Sequence, residues 1–242
     1  MKNTSSNVMK RCFNHSELKK GMIGAGELTY IEGKVLLVNY SSQDVKLNNI
    51  QGTVIHPFSS LIRCNEKITP NFQLMSFYLE DDLTVSPEVS WENQEVYIGK
   101  VRNEEVKTGF ENVNFYRSPS ECLDIIHFEP LELVTRSVGP KKNQLFSVSA
   151  NLWFAKAGTH CGIHNQHSFI EIHTQILGRG RMQSFYNEEY SSLCEEIHLA
   201  PGTTTSRAFC CIDDNGEYIY PFHQYYADTH SVWLAIEYSA VE

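Results

Sequence analysis

Gly158-Thr-His160-Cys-Gly-Ile-His164-Asn-Gln-His167-Ser-Phe-Ile-Glu171-Ile-His173-Thr-Gln-Ile-Leu-Gly178 packs four of the chain's 10 histidines into one short stretch, and seven of the 10 fall between residues 160 and 230. One histidine in a β domain is usually a solvated or hydrogen-bonded side chain. A cluster has to be read as a set, because neutral imidazole is the commonest protein ligand for Zn, Fe, Mn and Ni. Residues 169–176 alternate as a strand does: Glu171, His173 and Gln175 share one face, and Ile170, Ile172, Thr174 and Ile176 the other. A polar row of that kind either faces water over an apolar core or points inward. If it points inward, Glu171 and His173 must be paired or metal-bound, because an isolated buried charge costs several kcal/mol.

Outward from this stretch the apolar pattern stays short, alternating and punctuated by turns, which predicts an all-β chain. Strands are expected over residues 27–30, 34–39, 52–56, 72–78, 96–101, 146–155, 169–176, 181–185 and 231–238. Two short helices are expected, over 118–125 and 188–197, each led by a capping-type residue, Ser118 or Asn187. The run from Leu28 through Gly33 to Val35 reads as strand, glycine turn and strand, as does His173 through Gly178 to Met182, and together they suggest a weak internal duplication. The irregular stretch ending at Gly139-Pro140-Lys141-Lys142 suggests a boundary, giving domains 1–140 and 141–242.

Composition narrows the function classes. The 242 residues carry 20 Lys+Arg against 29 Asp+Glu, a net charge of -9 without a basic cluster, so neither nucleic acid nor an anionic membrane surface is an expected partner. No stretch approaches the ~18 apolar residues of a membrane span, and residues 1–20 lack the apolar core of a secretory signal, so a cytoplasmic location is the expectation. Seven cysteines without a CxxC spacing suit reduced thiols, and adjacent Cys210 and Cys211 read as small buried groups rather than a redox pair.

The segment Gly158 to Gly178 resembles the first motif of the cupin superfamily: glycine, five residues, His164, a spacer, His167, three residues, Glu171, six residues, glycine. Here two residues separate the histidines where the family has one. Strict alternation would turn them to opposite faces, so both can reach one ion only if a bulge or turn lies at Asn165-Gln166. Without it, His173 is the substitute ligand. The second motif is represented by Ala200-Pro201-Gly202, with Ser206 near where a histidine is expected. His223, in Tyr220-Pro-Phe-His223-Gln-Tyr225, then stands as the third histidine, and Thr203 to Tyr220 becomes an inserted excursion turning at Asp213-Asp-Asn-Gly216.

The resemblance implies two double-stranded β-helix (jelly-roll) barrels. The N-terminal one would be degenerate and without ligands, and the C-terminal one would bind a divalent metal through His164, His167, Glu171 and His223. It further implies an enzyme for a small organic substrate, with Fe(II) the first choice of ion and Mn, Ni or Zn the others. Oxygenase chemistry is favoured over lyase or isomerase chemistry, and a homodimer is a possible assembly. His173 and Tyr225 are the expected proton-transfer groups. His160, Gln175 and Arg181 are expected beside the ligands, with Trp153, Phe169, Phe222 and Trp233 as an aromatic wall. The rival class is a non-catalytic small-molecule sensor or a dimerisation scaffold, in which the histidine cluster would be idle.

Overall fold

The computed structural model describes residues 20–79, 115–118, 120–134, 136–137, 143–205 and 208–241. The strand expected over 96–101 lies outside them. The chain divides into two units, Met1–Thr84 and Val85–Glu242, and the described part of each is built from strands with only single-turn 3₁₀ segments between them.

The first unit contains β1 (Lys20–Ile23), β2 (Thr29–Asn39), β3 (Val45–Lys46), β4 (Val54–Ile55), β5 (Ser59–Ile68) and β6 (Leu74–Leu79). Four of these form a sheet in the order β1-β6-β2-β5, all neighbours antiparallel, and β3 pairs with β4. Ile31, Val35 and Leu37 of β2 pack with Ile23, Val45, Leu47, Ile55, Ile68 and Leu74 into one apolar cluster. The reversal expected at Gly33 does not occur. β2 runs through that position, and the pairing with β5 shifts between Ile31 and Lys34. Gly33 uses its positive φ of 73° to accommodate the irregularity, with its N–H donating to Asn65 Oδ1 at 2.8 Å. Its likeness to the Gly178 turn is therefore one of composition, not of geometry.

The second unit contains β7 (Phe115–Arg117), β8 (Glu121–Phe128), β9 (Arg136–Ser137), β10 (Gln144–Ala155), β11 (Ile170–Leu177), β12 (Gly180–Phe185), β13 (Leu193–Leu199), β14 (Cys211–Ile212), β15 (Tyr218–Ile219), β16 (Phe222–Ala227) and β17 (Ser231–Ala240). One sheet runs β11-β17-β10-β7 with β8 also on β10; a second runs β13-β12-β16; a small third runs β15-β14-β9. The expected boundary at 140 moves toward the N-terminus, because β7 and β8 hydrogen-bond to β10 and so belong with the C-terminal strands.

Neither expected helix forms: the first is strand from residue 121 onward and the second from residue 193 onward. Residues 121–128 form β8 along β10, and in 188–197 a single 3₁₀ turn, Tyr190–Ser192, leads into β13 along β12. The charged run Cys194-Glu-Glu-Ile-His198 suits a helix by propensity, but tertiary pairing decides, since a free strand edge of β12 is available and the side chains remain largely exposed.

β11, at one end of its sheet, is buried along its whole length. Its apolar face continues across the sheet in Ile236, Leu234, Val148 and Leu152, all buried. Its polar face meets the second sheet: the Tyr225 hydroxyl on β16 donates to Gln175 Oε1 at 2.7 Å, and the Tyr225 ring stacks on Trp233 with centroids 3.7 Å apart. The polar row thus points inward. β11 and β12 are joined at Gly178-Arg179. Gly178 has φ 70°, and a Cβ there would collide with the His230 carbonyl oxygen. Replacing Gly178 with Ala should cost about 2–3 kcal/mol of unfolding free energy in a denaturant titration, from left-handed strain plus the backbone clash.

Candidate metal centre

Three imidazoles converge between the two sheets. The ligand atoms of His164, His167 and His223 lie within 4.8 Å of one another. Ring centroids are 4.9 Å apart for His164 and His167, 4.5 Å for His164 and His223, and 5.1 Å for His167 and His223. The convergence is built by backbone. His164 N–H donates to the His223 carbonyl at 3.0 Å and His223 N–H donates to the His164 carbonyl at 2.8 Å, an isolated bridge between the loop before β11 and the start of β16. Residues 165–167 are not in a strand, so the alternation that would part His164 from His167 does not apply to them.

The proton positions follow from the carbonyls. His164 Nδ1 sits 2.8 Å from the Gly162 oxygen and His223 Nδ1 sits 2.8 Å from the Pro221 oxygen. A carbonyl only accepts, so each Nδ1 carries a proton and each Nε2 is the nitrogen left for an ion: His223 offers it as a bare lone pair, and His164 does so once its ring gives up its second proton. His223 Nε2 faces His167 Nε2 at 3.2 Å. Two nitrogens on one tetrahedral ion with bonds of about 2.05 Å would be about 3.3 Å apart, so this pair fits a shared cation.

Burial sets the electrostatics. His223 is held down to about 3, first by desolvation and then by repulsion from His164. His167 falls to about 4, again by desolvation, against the pull of Glu171. His164 is raised to about 9: desolvation opposes its charge, but a hydrogen bond with Cys161, the Cys161 charge and the Gly162 carbonyl outweigh it. Glu171 is depressed to about 2, because His173, His167 and His223 overcome a large desolvation cost.

Glu171 is buried beside the three histidines but outside their close group, with Oε2 3.5 Å from His173 Nε2. His173 is buried too, its backbone N–H donating to Thr205 Oγ1 and its ring 6.2 Å from that of Phe209. Tyr225 has a different role from the one expected. Its hydroxyl proton is committed to Gln175, burial raises its pKa to about 12, and its ring packs with Ala155, Met182 and Leu199, so it braces β16 against β11.

His160 is also occupied: Nδ1 accepts from Gly162 N–H, and Nε2 meets the Tyr190 hydroxyl at 3.0 Å. Arg181 pairs with Glu196 and Asp228 and lies over Tyr226. Of the expected aromatic wall, Phe169 reaches the His167 ring at 5.2 Å, whereas Trp153 and Trp233 stack on each other at 6.0 Å. Phe222 pairs with Phe185 across β16 and β12.

Sequence reading missed Tyr220 and Phe209. The Tyr220 ring lies 4.7 Å from His167 and 5.4 Å from His223, and its hydroxyl accepts from Glu171 N–H at 3.0 Å while donating to the Phe169 carbonyl at 2.9 Å. Phe209 lies 5.8 Å from the His223 ring. Only the nearness of Tyr220 to His223 in the chain hinted at either residue.

No family model matches the chain, and no curated protein matches it. Solved structures do. An oxalate oxidase in complex with glycolate matches at TM-score 0.27 and 12% identity over 38% of this chain and 42% of that one. A cupin domain from Bordetella pertussis Tohama I matches at TM-score 0.27 and 20% identity over 38% of this chain and 82% of that one. Oxalate decarboxylase from Bacillus subtilis, a protein with Mn(II) centres, matches at TM-score 0.31 and 11% identity over 93% of this chain and 69% of that one. This chain spans less than half of the oxalate oxidase.

Two predictions follow from the geometry. With His164 protonated up to about 9 and His167 and His223 neutral, Zn(II) binding near pH 7.5 should release about one proton, and affinity should rise about tenfold per pH unit between roughly pH 6.5 and 9 before levelling off. Calorimetry in buffers of different ionisation enthalpy measures the release. Tyr220→Phe keeps the ring but leaves Glu171 N–H and the Phe169 carbonyl without their partner. It should cost about 1–2 kcal/mol in thermal or chemical unfolding.

Proposed function

We propose that the chain is a metal-dependent enzyme for a small organic substrate, with Fe(II) as the resident ion and oxygenase chemistry favoured over lyase or isomerase chemistry. The observation that carries this reading is the paired carbonyl support of His164 and His223, which commits both Nδ1 atoms and leaves both Nε2 atoms for the point shared with His167. Such an arrangement has no use in a merely packed core, where buried imidazoles are satisfied by pairing their own donors and acceptors.

His164, His167 and His223 would hold the ion, with Glu171 as a fourth ligand once its carboxylate turns from His173. When bound, the metal supplies Lewis acidity and, if it is iron, one-electron redox chemistry. The chain's own residues do the rest. Phe169, Phe209 and Tyr220 pack against the histidines and reduce the water around them, which strengthens the charge interactions there. Tyr220 fixes the entry of β11 and so the place of Glu171. His173, with Nε2 toward Glu171, is the proton-transfer group beside the ligands.

Elemental analysis of the protein purified without chelator should find about one transition metal per chain, falling at least tenfold in His223→Ala and His164→Ala. Metal-free protein that neither takes up Fe(II), Mn(II) nor Zn(II) on titration defeats the reading. Oxygen consumption by the iron-loaded protein with small carboxylic, amino and aromatic substrates separates oxygenase from non-redox chemistry.

A further inference from the structure

The inward face that carries Glu171 and His173 also holds polar groups on the two neighbouring strands. Ala235 of β17 stands in register between His173 of β11 and Asn151 of β10. Strand spacing puts those two flanking residues about 10 Å apart at Cα, and only a methyl group lies between them. On the next row Glu237 stands between Glu171 and Ser149. Asn151 Nδ2 donates to Glu237 Oε1 at 2.9 Å, and Ser149 Oγ donates to Glu237 Oε2 at 3.4 Å.

The bonds already made leave a definite remainder. A carboxylate accepts, so Asn151 turns its amide nitrogen to Glu237 and its Oδ1 the other way. That Oδ1 is buried and, among the described residues, without a partner, in a side chain only 2% exposed. His173 directs Nε2 to Glu171, and its Nδ1 is likewise buried and, among the described residues, without a partner, in a residue 5% exposed. The remainder is all acceptor: an amide oxygen, an imidazole nitrogen, and the unused lone pairs of Glu237. Two carboxylates, Glu171 and Glu237, face each other across the same rows and raise each other's energy. The cation that acts on Glu237, Arg117, lies over the Trp153 ring at 5.5 Å.

We propose that Asn151, His173 and Glu237 form a subsite for a protonated primary amine on the small molecule that the metal centre acts on. An ammonium group carries three N–H donors, one each for Asn151 Oδ1, His173 Nδ1 and the Glu237 carboxylate, and its charge offsets the repulsion between the two acids. A carboxylate or ketone would bring only further acceptors, and a hydroxyl a single donor. The proposal rests on the metal-centre reading for the other end of the molecule, but the amine contact is tested separately.

The test uses the full chain with calorimetry and tryptophan fluorescence. Propylamine, 3-aminopropanol and 1,3-diaminopropane are compared with 1-propanol and propionate, and metal content is measured on every sample. The amines should bind at least tenfold more tightly than both controls. Asn151→Leu and Glu237→Gln should each weaken amine binding at least tenfold while metal content per chain and the cooperativity of unfolding stay at the native values. Equal binding of amines and controls to the native chain, or no binding of any amine, overturns the proposal, as does amine binding that survives in whichever of the two variants folds. Amine selectivity without metal uptake would uphold the subsite and defeat the metal centre; metal uptake without selectivity would do the opposite.

Discussion

The site depends on two carbonyl oxygens, those of Gly162 and Pro221, each accepting the Nδ1 proton of the histidine two residues later. An imidazole in water exchanges tautomers freely and points either nitrogen anywhere. Here the ring is fixed by its own local backbone, and the opposite nitrogen is the one left to offer a lone pair to a shared point. The reciprocal hydrogen bonds between the main chains of His164 and His223 then bring the two local arrangements together. Side-chain chemistry at the centre is thus a consequence of main-chain geometry at two turns, which is why a loop, not a regular strand, carries His164 and His167.

The surrounding residues serve that geometry in distinguishable ways. Tyr220 ties the first residues of β11 with a hydroxyl used as both donor and acceptor, and Tyr225 ties the middle of the same strand through Gln175. The two tyrosines on either side of His223 therefore hold one strand at two heights. Depressed basicity in His167 and His223 comes first from the loss of water around them, and charge repulsion only adds to it. Burial alone would push Glu171 up, but its hydrogen bond with and attraction to His173 lead the effects that outweigh that cost and keep the acid ionised.

Much of this was legible in the sequence, and the illegible parts have identifiable causes. Alternation located β11 and told which of its faces was polar, since period two is a direct property of a strand. The density of histidines located the centre, and His223 was reachable because it lies just before a strand that had to pack nearby. The helices expected over 118–125 and 188–197 failed because propensity speaks for isolated segments, whereas β8 and β13 exist by virtue of partners, β10 and β12, distant or unpredictable in register. Gly33 misled for a related reason: a glycine that permits a positive φ serves a bulge as well as a reversal, and sequence does not say which. Tyr225 looked like a proton donor from its strand parity alone, and only its bond to Gln175 showed the hydroxyl to be engaged. Asn151 and Glu237 carry no local motif at all, since what singles them out is the small residue between strands.

The bridge between His164 and His223 closes a long loop of chain, and the ring of imidazoles exists only after that closure. An ion gripped there would have almost no affinity for the extended polypeptide, in which the donors wander far apart. Ligation would consequently act as a latch on the folded unit, deepening its native basin with rising metal activity and delaying its opening. Supply of the ion and persistence of the fold would become a single quantity.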